Sequence, residues 1–168
     1  MNYRIATAVD GPPLAELRWE FRTENDEEKP AVTRATFVEA YVRFFQAGLK
    51  EGRRVHWMAE EDGRMVGHLV LQVVDLIPRP CKLVDRIGVV TDNYVRPTFR
   101  NQGVGRELLN RLTDWSHDQD LELVIVWPSE RAVPFYHRAG FLGETDILER
   151  RLRPAYDPAW ARSTDGAA

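Results

Sequence analysis

Between Arg86 and Trp115 an apolar β-like run, a proline, a glycine-rich loop and an amphipathic stretch follow in that order, and this succession limits the fold more than any other feature of the chain. The run from about Arg86 to Val95 reads as a strand that Pro97 ends, because proline lacks the N–H a ladder needs. Val104, Leu108, Leu109, Leu112 and Trp115 share one face of a helix opened by Gly103-Val104-Gly105. Leu121 to Trp127, apolar but for Glu122, then reads as a strand of the kind covered on both faces. Strand, helix and strand in series imply a crossover within one sheet.

The rest of the chain fits around that unit. Asp10 before Gly11-Pro12-Pro13 reads as the N-cap of a helix running to about Arg22, with Leu14, Leu17 and Phe21 on one face. Glu24 to Pro30 is an acidic connector. Thr36-Phe37-Val38-Glu39 has capping-box spacing, and Phe37, Tyr41, Phe44, Phe45 and Leu49 recur at helical intervals to Gly52. That aromatic stripe is assigned to packing. Val55, Trp57 and Ala59 alternate, Glu61-Asp62-Gly63-Arg64 supplies turn chemistry, and Met65 to Val74 continues as a strand, which makes an antiparallel hairpin. Asp75 to Asp85, with Pro78 and Pro80, is a loop. Ser129 is placed to cap a short helix ending at Gly140, and Phe141 to Leu152 returns as a last strand or two. The division is one domain over 1–153 and a tail over 154–168, in an α/β architecture with a mixed sheet.

Composition excludes several classes. With 168 residues and 43% hydrophobic side chains, the chain can bury a core without staples. A formal charge of −3 gives no electrostatic footprint for nucleic acid. Twenty of the 23 basic residues are Arg, which is read as base composition. Cys81 is the single cysteine, so no internal disulfide is possible. The first residues lack the apolar core of a signal peptide and no apolar run approaches the roughly 20 residues of a membrane span, so a soluble, cytoplasmic chain without a membrane partner is expected.

Arg100-Asn101-Gln102-Gly103-Val104-Gly105 sits where glycines let a ligand approach the backbone and the helix's unpaired N–H groups hold an anion. A P-loop would need Gly-Lys-Ser/Thr, and here Arg106 and Glu107 follow Gly105. A dinucleotide fingerprint would need a third glycine, and Leu108 occupies that place. Val95-Arg96-Pro97 followed by Arg100-x-x-Gly103-x-Gly105 instead resembles the acetyl-CoA signature of the GNAT superfamily of N-acetyltransferases. Phe135-Tyr136-x-x-x-Gly140-Phe141 is similar to that family's second block.

The resemblance implies the family's acyl-CoA N-acyltransferase fold, with a central, mostly antiparallel sheet flanked by helices. It also implies transfer of acetyl from acetyl-CoA to an amine of a small molecule or peptide, directly in a ternary complex. Main-chain groups of Tyr94 and Val95, on a strand bulged near Asn93, would pair with the pantetheine arm. Amides from Gln102, Gly103, Val104, Gly105 and Arg106, beside Asn101, would wrap the pyrophosphate, with charge added by Arg100. Many relatives carry an asparagine at Ser129 that contacts the cofactor arm; the hydroxyl here is shorter. Tyr136 matches the family's frequent general acid, its phenol near 10 able to supply a thiolate whose thiol titrates near 8.5; the competing reading is a half-buried packing ring.

Sequence marks no base. Asp92 ranks first and Asp85 second as acceptors of the ammonium proton. His56, His68, His117 and His137 show no metal-ligand spacing, so no metal is expected. The acceptor pocket is expected from the helix–helix region, Pro78 to Cys81 and the tail. Trp160 and Tyr156 belong either to a homodimer interface or to a packed tail. The runner-up function is an acyl-CoA-binding sensor without catalysis.

Overall fold

The computed structural model describes residues 1–24 and 30–143. Its elements run β1 (Asn2–Ile5), α1 (Gly11–Thr23), α2 (Arg34–Glu51), β2 (Arg54–Glu61), β3 (Arg64–Asp75), β4 (Arg86–Val95), α3 (Val104–Asp118), β5 (Val124–Val126) and α4 (Val133–Arg138). The sheet has the order β1-β2-β3-β4-β5, antiparallel throughout except for the parallel β4–β5 pair that α3 connects. The mixed, mostly antiparallel sheet with flanking helices is therefore the observed architecture. No helix of the described residues is long and apolar enough to cross a membrane.

Strand alternation divides the core into two layers. Trp57, Ala59, Leu69, Leu71 and Val90 face α3 and pack on Leu108, Leu109 and Leu112. Met58, Met65 and Tyr94 face the other way, against Leu14 and Leu17 of α1 and Phe45 of α2. Three ion pairs run up the second face and tie α1 to β4 and the loop after it: Arg18 with Asp92, Glu20 with Arg96, and Glu24 with Arg100. The first residue of the acidic connector is thus a structural strut, while 25–29 lie outside the described residues.

Several local expectations shift. Asp10 does not cap α1 with its side chain; it accepts hydrogen bonds from Thr7 N, Thr7 Oγ1 and both terminal nitrogens of Arg4. Helix α2 is capped by Thr33, whose hydroxyl accepts from Thr36 N, so the Thr36–Glu39 spacing falls inside the helix. The hairpin turn holds, with Asp62 and Gly63 both at positive φ as the twist of two antiparallel strands requires. The Leu121–Trp127 run contributes only Val124–Val126 to the sheet. Those three residues are half-buried and Trp127 is 61% exposed, so the expected two-sided cover is not found. Ser129 begins a single 3-10 turn through its main-chain carbonyl, and its side chain makes no cap bond. The strand placed over Phe141–Leu152 and the tail over 154–168, including Tyr156 and Trp160, lie almost wholly outside the described residues.

Candidate functional site

Two breaks in regularity shape β4. Val70 pairs with Asp92 but Leu71 pairs with Val90, so Thr91 is an extra residue and the bulge lies there, two residues before the expected position. A bulge reverses the phase of alternation. Val90 packs toward α3. Beyond the bulge Asp92 reaches Arg18 of α1, and Asn93 reaches Tyr136 of α4 on the α3 side. The second break is at the β4–β5 pair, whose last partners are Val90 and Val126. Past them, among the described residues, β4 pairs with β3 alone, and a wedge opens beside its other edge.

Which main-chain groups face that wedge follows from the ladder. Arg96 N donates to Val66 O, so Arg96 is turned to β3, Val95 away from it, Tyr94 toward it and Asn93 away. The expectation for Tyr94 is corrected accordingly: its main chain belongs to the β3 ladder, and the main-chain groups of Asn93 and Val95 are the ones that face the wedge. The Val95 carbonyl itself accepts from Arg100 Nε at 2.9 Å.

The wedge continues into a cleft of about 580 Å³, lined by Val95, Asn101, Gly103, Gly105, Arg106 and Phe135 among others. Its floor is main chain. Asn101 and Gly103 sit at φ of 61° and 84°, which turns the chain sharply into α3, and Gln102 Nε2 staples the loop to Thr98 O at 2.8 Å. At Gly103 this left-handed conformation calls for glycine. Gly103 N-caps α3 without any side-chain partner, and Glu107 N is the amide that returns to Gly103 O. The earlier amides at Val104, Gly105 and Arg106 are the helix's unsatisfied donors and form an anion seat. Gly105 lies between Val95 and Phe135, where a Cβ would be 3.6 Å from each and any longer side chain would enter the cleft.

Arg100 lines the cleft and is held from two sides. Its Nε holds Val95 O, its Nη2 holds Glu24 at 2.6 Å, and its guanidinium lies 5.5 Å from the Tyr94 ring centroid. Its charge is matched by Glu24, and it braces the loop. Arg106, which is exposed, and Arg138 of α4 also line the cleft, and neither has an ion-pair partner among the described residues. Arg138 carries no motif and was legible only after α4 had been set against α3.

Tyr136 is 5% exposed, packed edge-on against Phe135 and Phe141, and its hydroxyl accepts from Asn93 Nδ2 at 3.2 Å. The ring is core, as the packing reading has it, and its oxygen reaches the β4 edge. Burial raises its pKa, the Asn93 bond pulls the other way, and the Asp92 charge adds to the rise. The phenol keeps its proton at neutral pH.

On the opposite face of β4 a second pocket, of about 260 Å³, is lined by Arg18, Tyr41, Phe44, Arg54, His56 and Asp92, together with Thr91 at the bulge. The Asp92 side chain is 8% exposed; Oδ1 accepts from Arg18 at 2.8 Å and Oδ2 lies 2.8 Å from His68 Nε2. Burial would raise its carboxyl, but His68 and Arg18 outweigh burial and hold it below the usual carboxylate range. The helix–helix region borders this pocket through Arg18, Tyr41 and Phe44, Pro78 to Cys81 does not line it, and the tail lies outside the described residues. That loop is pinned beyond the start of β4, with Arg79 against Asp85 and Glu122 and Lys82 against Asp120. Asp85, the second base candidate, is thereby part of a loop anchor at the other end of the strand. Sequence reasoning missed His56 as a pocket residue and His68 as the partner of Asp92, although a histidine at a buried position of an apolar strand, as in Val55-His56-Trp57 and Gly67-His68-Leu69, was a readable signal.

The sequence model of the Acetyltransferase (GNAT) family matches residues 12–141. A glucosamine 6-phosphate N-acetyltransferase of Trypanosoma brucei brucei is 32% identical over 91 residues, 54% of this chain and 57% of that protein. An uncharacterized N-acetyltransferase of Methanocaldococcus jannaschii is 24% identical over 131 residues, 70% of this chain and 58% of that protein. The chain thus spans less than three-fifths of the length of these curated relatives. A solved structure described as a predicted acetyltransferase with acetyl-CoA, from Clostridium acetobutylicum, shares the fold with a TM-score of 0.74 at 26% identity, covering 90% of this chain and 96% of that chain.

Proposed function

Because this chain belongs to the acetyltransferase (GNAT) family, we propose that it moves the acetyl group of acetyl-CoA to a primary amine by direct attack in a ternary complex. The observation that carries the reading is the pairing of an anion seat at the start of α3 with a wedge at the edge of β4 past its pairing with β5, the two joined in one cleft. The amides of Val104, Gly105 and Arg106 would hold the pyrophosphate, Asn93 and Val95 the pantetheine end, and Arg106 and Arg138 would add charge against phosphate.

In the chemical step the neutral amine nitrogen attacks the thioester carbonyl, the carbon–sulfur bond breaks, the sulfur takes a proton, and the proton that the nitrogen gives up restores the donor, so that none is consumed. Tyr136 is the donor in this reading, since its raised pKa keeps the proton in place until a thiolate forms beside it. Asp92 is the carboxylate on the acceptor side of the bulge. With Arg18 and His68 holding it as an anion, it attracts the ammonium and passes its proton onward to solvent rather than storing it. The curated relatives named as N-acetyltransferases support an amine as acceptor.

Calorimetry with acetyl-CoA, followed by thiol release across polyamines, amino acids, amino sugars and peptide N-termini, tests the proposal. Binding with turnover on one class is the expected result. Tight binding with no turnover on any amine would favour the acyl-CoA sensor, and no binding at all would overturn both.

A further inference from the structure

Resting on the reading that a small amine is acetylated at the Asp92 side of β4, we infer that this amine carries an oxyanion group, a carboxylate or a phosphate, seated between Arg54 and His56 in the α1–α2-side pocket. Charge accounting favours an anion. Asp92 brings one negative charge and already faces Arg18 and His68. Arg54 is the cation left in excess. Its ion partner is Glu51, 3.6 Å away and 54% exposed, a contact that water and salt screen strongly. Its guanidinium is held in place by lying 4.4 Å from the centroid of the Phe44 ring, and Phe44 and Arg54 both line the pocket. A fork fixed by stacking, with weak carboxylate competition, is suited to a bidentate oxyanion.

His56 supplies an independent pointer. It is 3% exposed, lines the same pocket, and neither of its ring nitrogens has a hydrogen-bond partner among the described residues. Burial first, and the nearby His68 second, lower its pKa to about 4, so at neutral pH the ring is uncharged, with one donor and one acceptor to offer. A buried imidazole left without a partner is costly, and a polar ligand in the pocket would remove that cost. The volume sets the size. At about 260 Å³ the pocket lies below the roughly 300–1,000 Å³ of sites for drug-sized ligands, which suits an amino acid or a small phosphorylated amine and not a peptide chain. A polyamine would bring its extra cations against Arg18 and Arg54.

The test compares matched pairs that differ only in the anion: amino acids against their carboxamides, and O-phosphoethanolamine against ethanolamine, with spermidine as the cationic arm. Thiol release from acetyl-CoA should show kcat/KM at least about tenfold higher for the anionic member of one series, and which series responds tells carboxylate from phosphate. Arg54→Gln should bring that ratio close to one, while Arg54→Lys keeps part of it. Preference for neutral or cationic amines, or a ratio unmoved by Arg54→Gln, would overturn the inference and leave acetyl transfer standing. If acetyl-CoA binds and no amine turns over, thermal stabilisation by the anionic members decides, and its absence, or its survival in Arg54→Gln, counts against the pocket. If acetyl-CoA itself fails to bind in calorimetry, the transfer reading falls and the same stabilisation measurement still judges the pocket.

Discussion

The two faces of β4 are built from different material. Toward α3 and α4 the cleft is lined at its base by backbone: a left-handed turn at Asn101 and Gly103, the first amides of α3, and a strand edge without a partner, among the described residues, past the end of β5. Toward α1 and α2 the pocket is lined by side chains from five elements, Arg18, Tyr41, Arg54, Gln72 and Asp92 among them. A main-chain site tolerates most changes of side chain and fails when space is filled, whereas a side-chain site fails charge by charge. One bulged residue, Thr91, stands between them and sends Asp92 to one face and Asn93 to the other.

Four experiments would sharpen or break that contrast. The largest effect is expected from Gly105→Trp, which fills the cleft between Val95 and Phe135 and should weaken acetyl-CoA binding by about a thousandfold in calorimetry, with little change in melting temperature. Unchanged affinity would remove the cofactor from this cleft.

Next is a pH effect confined to the other face. His56 has a folded-state pKa of about 4 against an ordinary value of 6.5, so between those values the unfolded chain binds the proton more readily. Stability should therefore fall as pH drops from 6.5 to 4, by about 3 kcal/mol, and His56→Gln should flatten that part of the curve in urea titrations. Asp10, lowered to about 2 by its bonds with Arg4, contributes stability above its ordinary 3.8 and loses it only at more acid pH, outside this window. A slope between pH 6.5 and 4 that survives in the variant would refute the assignment to His56.

Tyr136→Phe keeps the packed ring and removes the hydroxyl that Asn93 holds, so kcat should fall by about a hundredfold, near 2.7 kcal/mol in the barrier, while acetyl-CoA affinity stays the same. Equal turnover would leave Tyr136 as core alone. The smallest effect is expected at Ser129, whose side chain caps nothing: Ser129→Ala should alter acetyl-CoA affinity by less than about threefold, under 1 kcal/mol.

Legibility followed the same division. The glycine loop, the helix after it and the hairpin at Asp62-Gly63 were readable because each depends on local backbone geometry, which residue type controls directly. Caps were placed less well: Thr36 has the capping-box spacing to Glu39, but Thr33, followed three residues later by Thr36 and not by Glu or Gln, is the residue whose hydroxyl accepts from the helix, and the incoming chain direction chooses it. The strand from Leu121 was read too long because apolar residues there signalled burial by contact, and a run with one strand neighbour among the described residues leaves Leu123 and Trp127 exposed. Arg100 was legible from the motif, but its brace to Glu24 was not. Its partner Glu24 lies 76 positions away, and no local pattern connects them.

Taken alone, the sequence determined that a strand, a glycine turn and an amphipathic helix stand in series, and so that an anion seat of main-chain amides exists, because φ preferences and helix periodicity act within a few residues. Only the tertiary structure decided what faces that seat's neighbour across β4. Arg18, Arg54, His56, His68 and Asp92 come together there from three strands and a helix, and the register that gathers them depends on one extra residue at Thr91, a long-range pairing that no short stretch of chain specifies.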